Sequence, residues 1–261
     1  MQRESSPATS TKRVLAAAFA AIGLSASGAA SADWSASAGF ESFRWKESTT
    51  PSVKESGLRW ALDLTWAQSK EPGVSAGYNL KFYNGNVDYD GATLFGGVPL
   101  SGETHYRGLT NEIRAFYRMP ANRVDFMLAA GWDRWERQLS SAQAEDWDVL
   151  YVRLGAEFNS ATKQGIFGSF GLKYPAWTRE NANFPDLGAT NNPRLRPGKE
   201  LSLYGSIGYR ANANWDVIAY YDSYRFKESS VVAVAVGGGT AGFFQPESRM
   251  DVIGMKLQYN F

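Results

Sequence analysis

The sequence of 261 residues contains no cysteine and a single histidine, His105. Without a thiol there is no disulfide, no thiolate nucleophile, no Cys-ligated zinc or iron–sulfur cluster, and no lipid attached through an N-terminal Cys. One imidazole excludes multi-histidine metal sites. An excess of one charge is also missing, with 27 Lys and Arg against 26 Asp and Glu. A basic arm or face for nucleic acid is therefore not expected. Beyond residue 32 no apolar run approaches the ~20 residues of a spanning helix, which excludes a helical membrane protein. What the chain does hold is glycine and aromatics: 26 Gly, 9 Trp and 13 Tyr.

Residues 1–32 read as an address label. A polar stretch ends in Lys12 and Arg13, an apolar run follows from Val14 to about Leu24, and small residues lead to Ala30-Ser31-Ala32. This is the charged region, apolar region and A-x-A site of a cleaved secretory signal peptide. The mature chain is expected to begin at Asp33, to be exported, and to form one domain over 33–261.

After Ala32 the dominant signal is period-two alternation, which marks a strand with two unlike faces. Leu58, Trp60, Leu62, Leu64 and Trp66 alternate with Arg59, Ala61, Asp63 and Thr65; Val124, Phe126, Leu128, Ala130 and Trp132 alternate with Asp125, Met127 and Gly131. Further segments lie at 74–82, 109–119, 150–158, 166–174, 201–209, 215–221 and 253–261, with a weaker one at 34–45. The gaps between them alternate. Short ones fall near 69–73, 120–122, 159–164 and 211–214, and long ones near 47–56, 84–106, 137–146, 178–199 and 228–248. A soluble sandwich has no reason to place its long loops at every second connection, whereas a transmembrane barrel has short periplasmic turns and long extracellular loops. The fold expected is all-β, a transmembrane antiparallel up-and-down barrel of about ten strands, eight and twelve being the neighbouring counts.

Tryptophan gives a second test. Trp34, Trp66 and Trp215 fall near the strand ends assigned to the periplasm, and Trp45, Trp60, Trp132, Trp135, Trp147 and Trp177 near the opposite ends. Indole is best solvated at a membrane–water boundary, so these are read as two aromatic girdles. The final segment, Ile253-Gly254-Met255-Lys256-Leu257-Gln258-Tyr259-Asn260-Phe261, alternates and stops on Phe. It resembles the terminal strand of bacterial outer-membrane β-barrel proteins. That resemblance implies an integral outer-membrane location and contact with membrane lipid and lipopolysaccharide. It also implies recognition by the barrel-assembly machinery through Tyr259 and Phe261.

If the apolar faces meet lipid, the polar faces point inward, since a charge facing lipid at the midplane costs roughly 2–4 kcal/mol. The expected lumen charges are Arg59, Asp63, Lys81, Glu112, Arg114, Arg118, Asp125, Arg153, Glu157, Lys173, Glu200, Arg210, Asp216, Asp222 and Lys256. The two signs nearly balance, which favours mutual pairing. About ten strands enclose little more than their own side chains. A plugged barrel with a structural or surface-interaction role is the first expectation, and a narrow channel for ions or small solutes the alternative.

A surface hydrolase is the third class. His105 is the one candidate histidine base, and Asp88, Asp90 and His105 invite comparison with the ten-stranded omptin proteases, whose aspartates and His–Asp pair lie at the outer rim. Here all three share one loop, so no catalytic residue is assigned. Asp88-x-Asp90 and Glu145-Asp146-x-Asp148 lack the spacing of a calcium loop, and no metal or cofactor is expected. Two loops stand out chemically. Residues 178–199 carry Arg179, Arg194, Arg196 and Lys199, which read either as contacts for lipopolysaccharide phosphates or as a solvated polar loop. Residues 228–248 place alternating Val and Ala beside Gly237-Gly238-Gly239, which suggests a hairpin folded inward as a lid, an adhesive tip, or two further strands.

Overall fold

Period-two alternation becomes strand almost throughout. The computed structural model describes residues 32–68, 72–92, 97–119, 124–140, 143–158, 164–183, 191–237 and 239–261; the signal peptide read at 1–32 lies, save its last residue, outside them. Among the described residues there are fourteen strands and no helix: β1 (Ala32–Glu47), β2 (Val53–Gln68), β3 (Gly73–Ala92), β4 (Pro99–Arg118), β5 (Val124–Ser140), β6 (Gln143–Phe158), β7 (Gly165–Asn183), β8 (Arg194–Leu195), β9 (Gly198–Glu200), β10 (Ser202–Arg210), β11 (Trp215–Lys227), β12 (Val232–Val236), β13 (Gly239–Phe243) and β14 (Ser248–Asn260).

Ten of these close an antiparallel barrel in the order β1-β2-β3-β4-β5-β6-β7-β10-β11-β14, with β14 returning to β1. The closing seam runs from Ser35↔Asn260 to Glu47↔Ser248, and the Phe261 amide donates to the Trp34 carbonyl at 2.9 Å. Closure removes every sheet edge, the condition for a sheet to stand in hydrocarbon. The stave β10 is short. At its outer end, β8 takes up the edge of β7 through Glu180↔Leu195, and β9 takes up the edge of β11 through Arg225↔Glu200. Pro193 and Pro197 flank β8 and lack the N–H that a continuous ladder needs.

The outer wall near the turn end is apolar and open. Val74 is 80% exposed, Phe40 68% and Ile113 63%, a belt that only lipid can cover. On β5 it runs from Val124 to Trp132, roughly 20 Å in height for a strand tilted about 40°, close to the roughly 25 Å apolar band of such barrels.

Beyond the belt the strands do not stop. The regions read as long loops at 84–106 and 137–146 are mostly strand, and part of 178–199 is too: β3 continues to Ala92, β4 begins at Pro99, β5 runs to Ser140, β6 starts at Gln143 and β7 runs to Asn183. They form a turret on the barrel. Its outer wall is polar, with Arg44, Lys46, Lys54, Asp88, Asp90 and Arg134 exposed. Its interior holds Phe43, Trp45, Val87, Tyr106, Trp135, Trp147, Val149 and Phe226 in one buried apolar cluster.

Glycine sets how closely the wall can be lined. The tip of Tyr151 lies over Gly131, and that of Tyr83 over Gly108, where a Cβ would overlap each ring. An aromatic ring covering a bare neighbouring backbone recurs in curved sheets.

Candidate functional site

The interior divides into three levels. Nearest the turn end lies a cavity of about 560 Å³ that reaches from Trp34, Ala213 and Phe261 at the rim up to Asp133 and Tyr224. Its walls carry paired charges. Glu41 accepts from Arg59 at 2.8 Å, from Lys81 and from the Tyr220 hydroxyl at 2.6 Å. Glu112 holds Arg114 at 2.6 Å and Arg153 at 3.1 Å. Arg153 also reaches Asp222 at 2.7 Å, joining β4 to β11 across the lumen. Asp222 takes Lys173 as well, at 2.9 Å. Nearer the rim stand Lys256–Asp63 at 3.3 Å, Arg118–Asp125 at 2.9 Å and Arg210–Asp216 at 3.0 Å.

Above this cavity the lumen is filled by rings. Trp135 and Trp147 stack with centroids 5.2 Å apart, Trp45 meets Trp147 edge-on at 5.4 Å, and Phe226 lies against Trp147 at 5.2 Å. Below them, Tyr83 on β3 and Tyr224 on β11 both donate to Asp133 on β5, at 3.0 and 3.1 Å. These bonds tie opposite walls together beneath the ring layer.

The third level, inside the turret, centres on Arg137. Its guanidinium meets Glu55 at 2.7 Å, Glu145 at 2.8 Å and Glu47 at 3.2 Å, all four side chains being buried. Tyr106 and Thr104 donate to Glu55, Trp45 donates to Glu47 at 2.8 Å, and Trp147 to Glu145 at 3.3 Å. Glu180 is also buried here, and its Oε2 has no hydrogen-bond partner. Burial, then the neighbouring Glu145 and Glu47 carboxylates, push its pKa well above the ordinary carboxylate range. Burial likewise raises Glu145, against the pull of Arg137. With three carboxylates already sharing one cation, a proton on Glu180 is the way to limit buried negative charge.

Over this level lies the hairpin β12–β13, a separate two-stranded sheet that does not join the barrel. Val234 and Phe243 pack on Ala182 of β7 and Leu195 of β8. Its root is fastened by Ser229 and Gln245, which exchange bonds of 2.9 Å, and by Gln245 donating to Glu47 at 3.4 Å.

Most of the charges expected in the lumen line the turn-end cavity or are buried beside it. Glu200 is the exception. It sits on β9 opposite Arg225 and is exposed on the outer wall, because the alternation breaks at Leu201, between β9 and β10. Three tryptophans expected in the girdles are instead interior: Trp45, Trp135 and Trp147 are almost wholly buried, since they share strand parity with Phe43, Asp133 and Val149. Trp60 and Trp215 face outward and are exposed, while Trp66, Trp132 and Trp177 are half-buried on the same wall and Trp34 is half-buried at the turn-end rim. Trp177 faces out because of a bulge where Leu150 pairs Trp177 and Tyr151 pairs Pro175. Tyr259 and Phe261 stack edge-on at 5.2 Å, and Trp215 packs on Tyr259 at 4.9 Å.

Sequence reasoning missed Glu41, Glu47, Glu55, Asp133, Arg137, Glu145 and Glu180. Most stood in segments assigned to loops or to the weak first strand. The available signal was parity: Asp133, Trp135 and Arg137 continue the inward face of Asp125 and Met127 without a break.

Asp88, Asp90 and His105 are on the outer wall of the β3–β4 hairpin, where Nδ1 of His105 meets Asn86 Oδ1 at 2.7 Å. No nucleophile–base–carboxylate arrangement is assembled there among the described residues. No group of three or more His, Asp or Glu residues there is placed to hold a metal ion. In the 178–199 region Arg179 pairs with Asp148 at 2.5 Å, while Arg194, Arg196 and Lys199 are exposed.

No protein-family model and no curated protein sequence matches the chain. Solved structures do. The outer-membrane protease OmpT of Escherichia coli is similar with a TM-score of 0.54 at 12% identity, over 88% of this chain and 96% of that one. The transport unit of the autotransporter AIDA-I of Escherichia coli matches at 0.46 and 9% identity, over 96% and 97%. The toluene transporter TodX of P. putida matches at 0.34 and 11% identity, over 91% of each chain. The fold is that of bacterial outer-membrane β-barrels.

Proposed function

We propose that the chain is an integral outer-membrane protein, exported by a cleaved signal peptide and assembled through its Tyr259–Phe261 end. Its barrel is closed, and its loop-end turret provides a structural or surface-interaction role toward the cell exterior. The observation that carries this reading is the ring layer of Trp45, Trp135, Trp147 and Phe226, under which the turn-end cavity stops. Paired charges line the cavity walls below it and the Arg137 cluster lies above it, so the route from the cavity to the loop end is filled. A continuous pore would need the ring layer and the Arg137 cluster to part. Among candidate ligands for the exterior, lipopolysaccharide suits the exposed Arg194, Arg196 and Lys199, since guanidinium and ammonium groups bind phosphate well.

The test is single-channel recording of refolded residues 33–261 in a planar bilayer across several salts. Folding is confirmed by heat-dependent gel mobility. A silent bilayer is expected. Discrete, reproducible steps would instead favour the second reading, a narrow channel for ions or small solutes entered through the 560 Å³ cavity. In that case a variant lacking 230–244 should conduct more, because the hairpin would then be the gate.

A further inference from the structure

The outer wall carries a concentration of positive charge where the first and last staves meet. Lys46 of β1 lies directly opposite Arg249 of β14, which lies directly opposite Arg225 of β11. All three point outward. Like charges facing one another across a ladder repel, and this row holds three abreast. Arg44 and Lys227 extend it below and above. Against these five outward cations the same strands and β9 offer two outward carboxylates, Asp251 and Glu200. Asp251 is engaged by Arg225 at 2.7 Å and by Arg249 at 3.9 Å. Arg44, Lys46 and Lys227 have no ion pair among the described residues. Asp251 thus offsets part of the charge on Arg225 and Arg249, and the row keeps a net positive charge.

Directly below it, on the same staves, the apolar belt is indented. A groove of about 410 Å³ is lined by Ala38, Phe40, Trp60, Leu62, Met255 and Leu257. Its floor is thin because Gly39 lies against the Lys256 backbone with no room for a side chain. From Arg44 to Phe40 is four residues along one face of β1, about 13 Å. A cationic shelf at the membrane rim and an apolar groove beneath it match the two parts of one amphiphile.

We infer that this seam binds a lipid of the surrounding leaflet, with headgroup phosphates on Lys46, Arg249 and Arg225 and an acyl chain in the groove, and that the lipid is a diphosphorylated glycolipid of the lipid A type. Two phosphates are called for because the row spans three strands, about 10 Å, and a single phosphate meets only one adjacent pair of cations. The assignment of this lipid class rests on the proposed reading of the loop end as the outer-leaflet side.

The experiment is native mass spectrometry of refolded 33–261 in detergent micelles with purified lipid A, monophosphoryl lipid A or phosphatidylglycerol. One lipid A retained per chain is expected, with weaker retention of the other two. The double variant Lys46→Ala/Arg249→Ala should lower retention about ten-fold or more, as loss of charge-assisted bonds implies. Ala38→Trp, which fills the groove and spares the cations, should lower it too; Leu257→Trp serves if that variant fails to refold. Arg107→Ala/Arg134→Ala, at comparable height on the far wall, should leave it unchanged. Wild-type retention in the Lys46/Arg249 variant, equal loss in the far-wall variant, or equal retention of the singly phosphorylated lipids would each overturn the inference. Micelle binding is independent of orientation, so its failure removes this site alone. Protease access to the 228–248 hairpin on intact cells tests the orientation separately.

Discussion

The belt and the turret are built from the same staves, yet they bury opposite faces. Within the belt, Leu150, Val152 and Leu154 of β6 face out while Arg153 faces in. One step toward the loop end the phase inverts: Trp147 and Val149 face in, and Asp146 is on the outer wall. The backbone does not change between the two; the solvent does. Where hydrocarbon covers the wall, apolar side chains go outward and charges must find one another inside. Where water covers it, the ordinary hydrophobic effect returns and the rings go inward. The cavity lies in the half where charges face inward below the rings, and the plug in the half where the large rings face inward.

Arg137→Ala is the strongest way to break that contrast. It leaves Glu47, Glu55 and Glu145 buried without their cation, and removing one partner of a buried ionic group costs about 3–5 kcal/mol. Urea unfolding from lipid vesicles should show the loss. A midpoint close to wild type would mean the turret interior is wetter than its packing indicates. Trp147→Ala comes next at about 3–5 kcal/mol for a large buried ring. It should also admit conductance if the ring layer is what stops the cavity; a destabilised but silent barrel would place the block at the Asp133 level instead.

Gly131→Ala pushes a methyl into Tyr151 and should cost about 1–3 kcal/mol by overpacking, an effect relieved in the Gly131→Ala/Tyr151→Phe pair only if the hydroxyl is the obstacle. The pH response of the turret is more modest. Burial and the neighbouring carboxylates push the Glu180 pKa well above the ordinary carboxylate range. Its folded pKa therefore lies above its unfolded one. The stability it contributes is complete below the ordinary carboxylate range and is lost as pH rises toward the folded value. Unfolding midpoints should fall with rising pH, and Glu180→Gln should flatten that slope; a wild-type midpoint that climbs instead would show Glu180 ionised. Smallest of all, Arg107→Ala, whose pair with Glu136 on the outer wall leaves both side chains open to solvent, should shift stability by at most about 1 kcal/mol.

How far the sequence could be read follows from the same inversion. Alternation of apolar with polar residues was plain in the belt, so the number of staves and their order were legible. In the turret the rhythm persists but its sign flips, and a pattern reader who follows apolar residues loses the strand there. That is why 84–106 and 137–146 read as loops, although His105 and Arg137 sit on regular ladders. The tryptophans failed for a related reason. Trp132 and Trp135 are three apart and must face opposite sides of a strand, so proximity to a strand end put both in one girdle where parity would have separated them. Glu200 was misplaced because the break at Leu201, between β9 and β10, could not be seen in spacing alone.

The sequence by itself determined that this chain forms an all-β barrel whose apolar faces need lipid, because a period of two is a local property that survives without knowing any partner. Only the tertiary structure decided what fills the interior. Arg153 joins Glu112 to Asp222, Tyr83 and Tyr224 share Asp133, and three glutamates from three staves meet Arg137, all because closing the sheet brings together residues distant in the chain, 91 positions for Tyr224 and Asp133. Which charges pair, and where the rings stack, depends on curvature and register around the whole barrel, and those are set by no single segment.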